Sequence, residues 1–500
     1  MWELICQRAD ETPEDAMVVD ESRSTLTFRQ YKDACERTAA GLHNLGVGEG
    51  TIVSWILPTT NDAFVLVGAL CRLGAIQNPI LTIYRDREVG FIAKEARPKF
   101  LIIPGSFRGF DFVAMAERIA ADTGVQWLNF GDDGLPTDDP SKLGDAPSDP
   151  DAVRWLFYTS GSTADPKGAK HTDQTILAVS KGMAECLDLV PEDRNGLVFP
   201  FTHIAGPIWL GSGLMVGLCH LIMSAFDPKG TVEFFAEQDV TIAGSGTMFH
   251  MAYLNAQRER PDEPVFPHAR CYPGGGAPKP PQLHYDIKKE MGGAGILSGY
   301  GLTEAPILTM ARAGDPDDKL ANTEGRPMPG VELKLVTLEG NVAGPGEEGE
   351  IRAKAPQVMK GYVNTGLDAE GFDEEGYFRT GDLGKLDDGY VIITGRLKDI
   401  IIRKGENISA KEVEDLLFAN EKVADVAVIG LPDANSDERA CAVVVLKDTS
   451  HPITMDDVRT YLGAKGLRTQ AIPEQLEIID ALPRNPAGKV LKQDLKERYG

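Results

Sequence analysis

The chain has 500 residues, 42 % of them hydrophobic and 25 % charged, with 53 Gly and 32 Pro; it is too long for one core and too apolar for disordered, collagen-like or mucin-like sequence. Its 75 acidic against 51 basic side chains give a net charge of −24, which repels a nucleic-acid backbone or an anionic membrane at long range. Any anionic substrate must then be held by a local cluster of donors.

In chain order, Met1 to Asp10 has no basic region and too short an apolar run for a signal peptide. Leu26 to Leu45 reads as a helix ending near Gly46, Thr51 to Leu57 as a strand and Asp62 to Leu73 as an apolar helix. Phe100 to Ile103, Gln126 to Phe130, Val153 to Tyr158, Leu197 to Phe201 and Val240 to Ala243 read as further strands, with a polar surface connection over Gly131 to Pro150. Ala205 to Phe226 carries no Asp, Glu, Lys or Arg over 22 residues. Pro207, four glycines and His220 within it suit a buried helix–strand segment better than a membrane span. Alternation of short strands with amphipathic helices predicts an α/β large domain with mostly parallel sheets.

The last hundred residues differ. Tyr390 to Thr394 and Ile400 to Arg403 are β-branched runs on either side of a polar Gly395-Arg-Leu-Lys-Asp399 break, and Ser409-Ala-Lys-Glu412 reads as a capping box. Strands over Val423 to Ile429, Ala440 to Leu446 and Gln475 to Ile479, with a helix near Met455 to Leu462, complete a small α+β unit. The expected division is residues 1–395, a hinge at 396–400 and residues 401–500, with a site between the two domains. Seven cysteines at positions 6, 35, 71, 186, 219, 271 and 441 lie singly, which points to neither a zinc ribbon nor a disulfide framework and suits a reducing, cytoplasmic setting.

Tyr158-Thr-Ser-Gly-Ser-Thr-Ala-Asp-Pro-Lys-Gly168 follows a predicted strand and gathers four serine and threonine hydroxyls, two glycines and Lys167. Small residues let backbone N–H groups approach an anion, so it reads as a phosphate loop. Pro166 before the lysine departs from the Walker A pattern. This loop resembles the signature of the adenylate-forming superfamily of acyl-CoA synthetases, adenylation domains and luciferase. Five further stretches resemble that family in order: Gly274-Gly-Gly-Ala-Pro278, Tyr300-Gly-Leu-Thr-Glu304, Tyr377-Phe-Arg-Thr-Gly-Asp382, Gly395-Arg-Leu-Lys-Asp399 with Gly405-Glu-Asn407, and Pro483-Arg-Asn-Pro-Ala-Gly-Lys489. The resemblance spans nearly the whole chain. Ala164 and Asp165 depart from it, in a loop that commonly carries glycine.

The resemblance implies an ATP-, Mg²⁺- and coenzyme-A-dependent ligase that makes an acyl-adenylate and then a thioester. Thr159, Ser160, Gly161, Ser162, Thr163 and Lys167 would hold the outer phosphates, Thr303 the α-phosphate and Glu304 the Mg²⁺. Gly275, Gly276, Ala277, Pro278, Tyr300 and Gly301 would line the nucleotide, and Asp382 with Arg396 would hold the ribose. Lys489 would bridge carboxylate and α-phosphate, in a tail with a local excess of three positive charges. Lys398 would be the pivot of the small domain. His203 and Trp209, with Gly246 and Gly274, would line a roomy apolar acyl pocket with no partner for a second charge, suiting a medium-chain, branched or cyclic hydrophobic monocarboxylic acid. A carrier-protein acceptor in place of coenzyme A is the alternative. A homodimer is only a habit of that family.

Overall fold

The computed structural model describes residues 1–159, 166–276, 279–403, 406–433, 437–484 and 490–500. Two sheets frame the large domain. One runs Ile242–Ala243, Arg194–Leu197, Cys219–Ile222, Ala16–Asp20, Thr25–Thr27, parallel except at the last edge. The other runs Lys167–Thr172, Val153–Thr159, Ile76–Pro79, Ile52–Trp55, Phe100–Ile103, Gln126–Asn129, parallel except at the first edge.

Helices Phe28–Asn44, Asn61–Leu73, Asp173–Cys186 and Ala205–Val216 contribute to one core that also takes residues from both sheets, among them Val18, Ile222, Trp55 and Trp155. The first of these helices begins two residues later than its apolar run, because Thr25–Thr27 pairs at the sheet edge. Thr27 and Gln30 then close a reciprocal capping box. The charge-free stretch from Ala205 divides into a twelve-residue helix and strand Cys219–Ile222. No described helix is long and apolar enough to cross a membrane.

A third sheet, Tyr272–Gly275, Ile296–Leu302, Ala305–Met310, Arg326–Pro327, mixes directions. A fourth, Glu332–Val336, Gly349–Lys354, Phe378–Asp387, Tyr390–Arg396, is wholly antiparallel. The expected parallel character therefore holds for the first two sheets, while hairpins build the region nearest the small domain. The strand expected over Leu197 to Phe201 ends at Leu197. Pro200 has no N–H for the ladder, and its carbonyl instead accepts His203 N at 2.9 Å in a turn.

The chain leaves Tyr390–Arg396 through a single 3₁₀ turn, Leu397–Asp399, and enters the small domain at Ile400–Arg403. That domain has one antiparallel sheet with Gln475–Ile478 added in parallel. One apolar cluster contains Ile401, Val413, Val428 and Val444, and another contains Ile429, Val443, Leu482 and Leu495. The alternating strands thus bury both faces. Of the capping box at Ser409, only the serine half forms: Glu412 N donates to its Oγ at 3.3 Å. The hydroxyl itself donates to Thr394 O at 2.6 Å, tying the small domain to the last strand of the large one.

Three core histidines, His171, His220 and His250, are buried and pushed by burial from 6.5 down to about 4. An unfolded imidazole takes up a proton near pH 6.5 that the folded core refuses until about pH 4. Their contribution to stability is whole above pH 6.5 and is lost as the pH falls from there towards 4, by on the order of 1 kcal/mol per pH unit for each. Urea midpoints should therefore drop steadily between pH 7 and pH 5. A flat profile would mean that these imidazoles are protonated in the fold.

Candidate active site

Strands Val153–Thr159 and Lys167–Thr172 form a hairpin in which Thr159 and Lys167 are register partners, so the two ends of the phosphate-loop motif are fixed by the sheet. Ser160, Gly161, Ser162 and Thr163, with Ala164 and Asp165, lie outside the described residues. The far edge of Lys167–Thr172 is bonded to residues 360–363: Lys170 N donates to Gly361 O at 2.9 Å and Val363 N to Gly168 O at 2.7 Å. This stitching places the Tyr362 ring 5.7 Å from Lys167 Nζ.

The Tyr362 hydroxyl donates to Glu304 Oε1 at 3.2 Å. Glu304 and Thr303 form the two-residue tip between strands Ile296–Leu302 and Ala305–Met310, with Leu302 opposite Ala305. His171 supports this tip from below, its Nε2 lying 2.9 Å from Thr303 O. Glu304 is 8 % exposed. Burial pushes its carboxyl up, while Tyr362, Lys167 and Arg396 pull it back. Among the described residues no three His, Cys, Asp or Glu converge as a metal cage. A lone carboxylate suits Mg²⁺ arriving with a nucleotide, because Mg²⁺ takes one or two carboxylates plus phosphate oxygens and waters.

Asp382 and Arg396 are cross-strand partners of the fourth sheet. Arg396 Nε lies 2.5 Å from Asp382 Oδ1, and the Tyr300 hydroxyl donates to Oδ2 at 2.8 Å. Arg396 Nη2 also approaches Oδ2, at 3.5 Å, so in this carboxylate, 2 % exposed, it is Oδ1 that keeps a lone pair for a ligand. The Thr380 hydroxyl helps fix it by accepting Asp382 N at 3.1 Å. Gly275 lies so close to the next strand that a Cβ there would stand 2.6 Å from Gly299 O; only glycine lets these two backbones form the floor together.

Gly246, Gly275, Gly276, Tyr300, Gly301, Asp382, Arg396 and Lys398 line one cleft of about 1840 Å³ between the domains, whereas Thr159, Lys167, Thr303 and Glu304 are not in its lining. Burial lowers the Lys398 ammonium, helped by Arg396, while Asp399 and Asp382 raise it. Ala277, Pro278 and Lys489 lie outside the described residues. Arg484 and Val490, which flank the Lys489 segment, pair across an antiparallel bridge and both line the cleft, as do Lys492 and Lys496. Glu406 and Asn407 do not line it; Arg468 of the same domain bonds the Glu406 carboxylate at 3.2 Å and Asn407 O at 2.5 Å.

The residues expected around an acyl pocket are not gathered in one space: of the four, Gly246 lines the cleft and His203 a separate small cavity. His203 Nδ1 accepts Ala205 N at 3.3 Å, its ring meets Phe199 edge-on, and burial lowers it to about 4. It is neutral near pH 7, and the cavity it shares with Tyr84, Tyr158 and Thr303 is only about 20 Å³, room for one water. Trp209 is 4 % exposed and packs in the principal core, lining neither space. Gly274 packs against His250, whose Cε1 would stand 3.0 Å from a Cβ there. The apolar room lies instead along helix Thr247–Glu259, where Met248, Phe249, Met251 and Ala252 line the cleft.

The AMP-binding enzyme family profile matches residues 5–363, and that of the AMP-binding enzyme C-terminal domain matches residues 412–489. The chain belongs to the AMP-binding enzyme family. It is 30 % identical to the long-chain-fatty-acid–CoA ligase FadD13 of Mycobacterium tuberculosis, over 99 % of this chain and 98 % of that one. It is 31 % identical to the salicyl-AMP ligase / salicyl-S-ArCP synthetase of the same organism, over 95 % and 86 %. ATP-bound MatB from Rhodopseudomonas palustris superposes with a TM-score of 0.90 at 26 % identity, over 100 % and 99 %. This AMP-binding enzyme is an AMP-forming acid–thiol ligase, a class whose reaction uses ATP, Mg²⁺ and coenzyme A.

Four positions in this AMP-binding enzyme had no sequence signal. Tyr362 and His171 hold Glu304 and Thr303 from outside any motif, and Lys279 with Glu324 forms an ion pair in the cleft wall. Each is separated in sequence from what it touches, so spacing could not reveal it.

Proposed function

We propose that this enzyme activates a hydrophobic monocarboxylic acid as its acyl-adenylate and transfers the acyl group to coenzyme A. The single observation that carries the reading is the shared cleft: Gly275, Gly276, Tyr300, Asp382, Arg396 and Lys398 face the residues flanking Lys489 across it. The chain divides at a hinge over 396–400, supported by the lone 3₁₀ turn there, into residues 1–395 and 401–500.

In the first half-reaction a carboxylate oxygen attacks the α-phosphorus of ATP and pyrophosphate leaves. Two anions must meet, so positive charge and positioning carry the catalysis. Lys167, with Thr159, Ser160, Gly161, Ser162 and Thr163, holds the outer phosphates, and Thr303 donates to the α-phosphate. Glu304 is the carboxylate for Mg²⁺, which would neutralise phosphate charge when bound. Gly275, Gly276, Ala277, Pro278, Tyr300 and Gly301 line the base, and Asp382 with Arg396 holds the ribose. Lys489 places its charge between carboxylate and α-phosphate. Neutral His203 sits beside Thr303, where it can position the acid without adding charge.

In the second half-reaction the thiol displaces AMP after the small domain turns about Lys398 and brings Glu406 and Asn407 to the cleft. Their place away from it, with the flanks of Lys489 lining it, supports an arrangement set for adenylation. The lining of Met248, Phe249 and Met251 supports an apolar acid, since unbranched methionines adapt to varied apolar shapes. Seven free cysteines support the cytoplasmic setting.

AMP release from MgATP across a panel of carboxylic acids, with and without free coenzyme A, tests this. Steady AMP formation that needs both coenzyme A and one class of apolar acid is the expected result. Acid-dependent pyrophosphate exchange with no coenzyme A turnover would favour a carrier-protein thiol, the reading supported by the salicyl-AMP relative. Silence across the panel would overturn both.

A further inference from the structure

Lys279 and Glu324 form a buried pair in the cleft wall that none of the roles above uses. The Lys279 side chain is 5 % exposed, and its ammonium donates to Thr323 O at 2.9 Å and lies 4.0 Å from Glu324 Oε1. The Glu324 side chain is 19 % exposed, and both residues line the cleft. Lysine and glutamate are rarely withdrawn from water without a partner. Here the lysine donates to a carbonyl and stands at the outer limit of ion-pair distance from the carboxylate, whose residue lines the cleft.

The position of Glu324 is fixed by its backbone: its N–H donates to Val391 O at 2.8 Å, and its carbonyl accepts the Thr309 hydroxyl. Its carboxylate lies beside Ser298 on strand Ile296–Leu302. Ser298 and Tyr300 are two residues apart on one strand, so they share a face at a separation of about 6.7 Å. Tyr300 bonds Asp382 and Ser298 neighbours Glu324, so the two carboxylates are reached from neighbouring positions of one strand and both line the same cleft. Lys411, on helix Ala410–Phe418 of the small domain, approaches closely enough to act on both members of the pair. Burial pushes the Glu324 carboxyl up, and Lys279 and Lys411 pull it back.

We propose that Glu324, held in place by Lys279, accepts a hydrogen bond from the 6-amino group of the nucleobase and so makes this site select adenine over 6-oxopurines. The inference rests on the nucleotide site proposed above, with the ribose at Asp382. A base carrying oxygen at C6 would point lone pairs at the carboxylate, leaving a buried acceptor unpaired and two like dipoles opposed.

Calorimetric titration of the full chain with MgATP and MgITP, which differ at C6 and in the proton that ITP carries on N1, reads this without any knowledge of the acid. The wild-type protein should bind MgATP about tenfold or more tightly than MgITP, the size expected of one charge-assisted hydrogen bond. Glu324→Gln presents either an amide oxygen or an N–H, and should bring the ratio to within about threefold. Glu324→Asp, which withdraws the carboxylate by one methylene, should do the same if the amide variant is unstable. Asp382→Asn should weaken both nucleotides alike. A wild-type ratio surviving in Glu324→Gln or Glu324→Asp would overturn this role alone. Equal wild-type affinity for the two nucleotides would do so as well. Failure of the wild-type protein to bind MgATP, or indifference of both nucleotides to Asp382→Asn, would overturn the nucleotide site and this role with it.

Discussion

Replacing Lys489 with alanine should lower acid-dependent ATP–pyrophosphate exchange by about 100- to 1000-fold and leave thioester formation from a preformed acyl-adenylate within about threefold of wild type. The first figure is the usual loss when one preorganised donor is withdrawn from developing charge. The asymmetry follows from the arrangement of the small domain. Arg484 and Val490, on either side of the Lys489 segment, line the cleft, while Glu406 and Asn407 are held by Arg468 away from it. On the function proposed above, a lysine carried by this segment would serve the step in which two anions meet, and would leave when the domain turns. Lys489→Arg should recover part of the exchange, since it keeps the charge but spreads it over a planar fork. Equal loss of both half-reactions would remove Lys489 from the adenylation step, and a fall in melting temperature large enough to empty the folded state would make its role structural.

Much of this was legible from the sequence because the relevant physics is local. Tyr-Gly-Leu-Thr-Glu lies in one hairpin, so its five residues share a site by chain connectivity, and the structure finds Thr303 and Glu304 at the tip. The small domain's strands followed from their β-branched runs, and the observed ones begin or end within a few residues of those expected, extended to Asp433 in one case because Asp437–Leu446 offers a partner along its full length. What could not be read was set by distant packing. Trp209 occupies a helix with apolar residues on every face, and nothing in such a segment tells which side meets the core and which the pocket. That Met248 and Met251 line the cleft was unreadable for a related reason: small-domain residues such as Lys411 and Lys492 line the same space, and no local pattern brings them there. Tyr362 reaches Glu304 across 58 positions, and Glu324 meets Lys279 across a similar gap, so only the fold reveals either pair.

Asp382→Asn should raise KM for ATP by about 100-fold or more while changing kcat far less, because two hydrogen bonds from the ribose to a charged acceptor are made equally in the ground state and in the transition state. The carboxylate already accepts from Tyr300 and Arg396, which fix its orientation from both sides. An amide keeps one acceptor oxygen but turns an N–H towards one of these donors, so the ribose loses acceptor capacity and Arg396 loses its charge partner. Arg396 is 31 % exposed and can turn to water, so the fold should lose only a few degrees of melting temperature, unlike a fully buried pair broken at one end. Tyr300→Phe removes only one of the two orienting donors and should cost about tenfold in the same parameter. The decisive control is 2′-deoxy-ATP. Wild-type enzyme should discriminate against it, and Asp382→Asn should use it and ATP nearly alike, since the acceptor that reads the hydroxyl is gone. A variant that keeps its wild-type KM and loses kcat would take Asp382 out of ribose binding and place it with the groups that act on the phosphate.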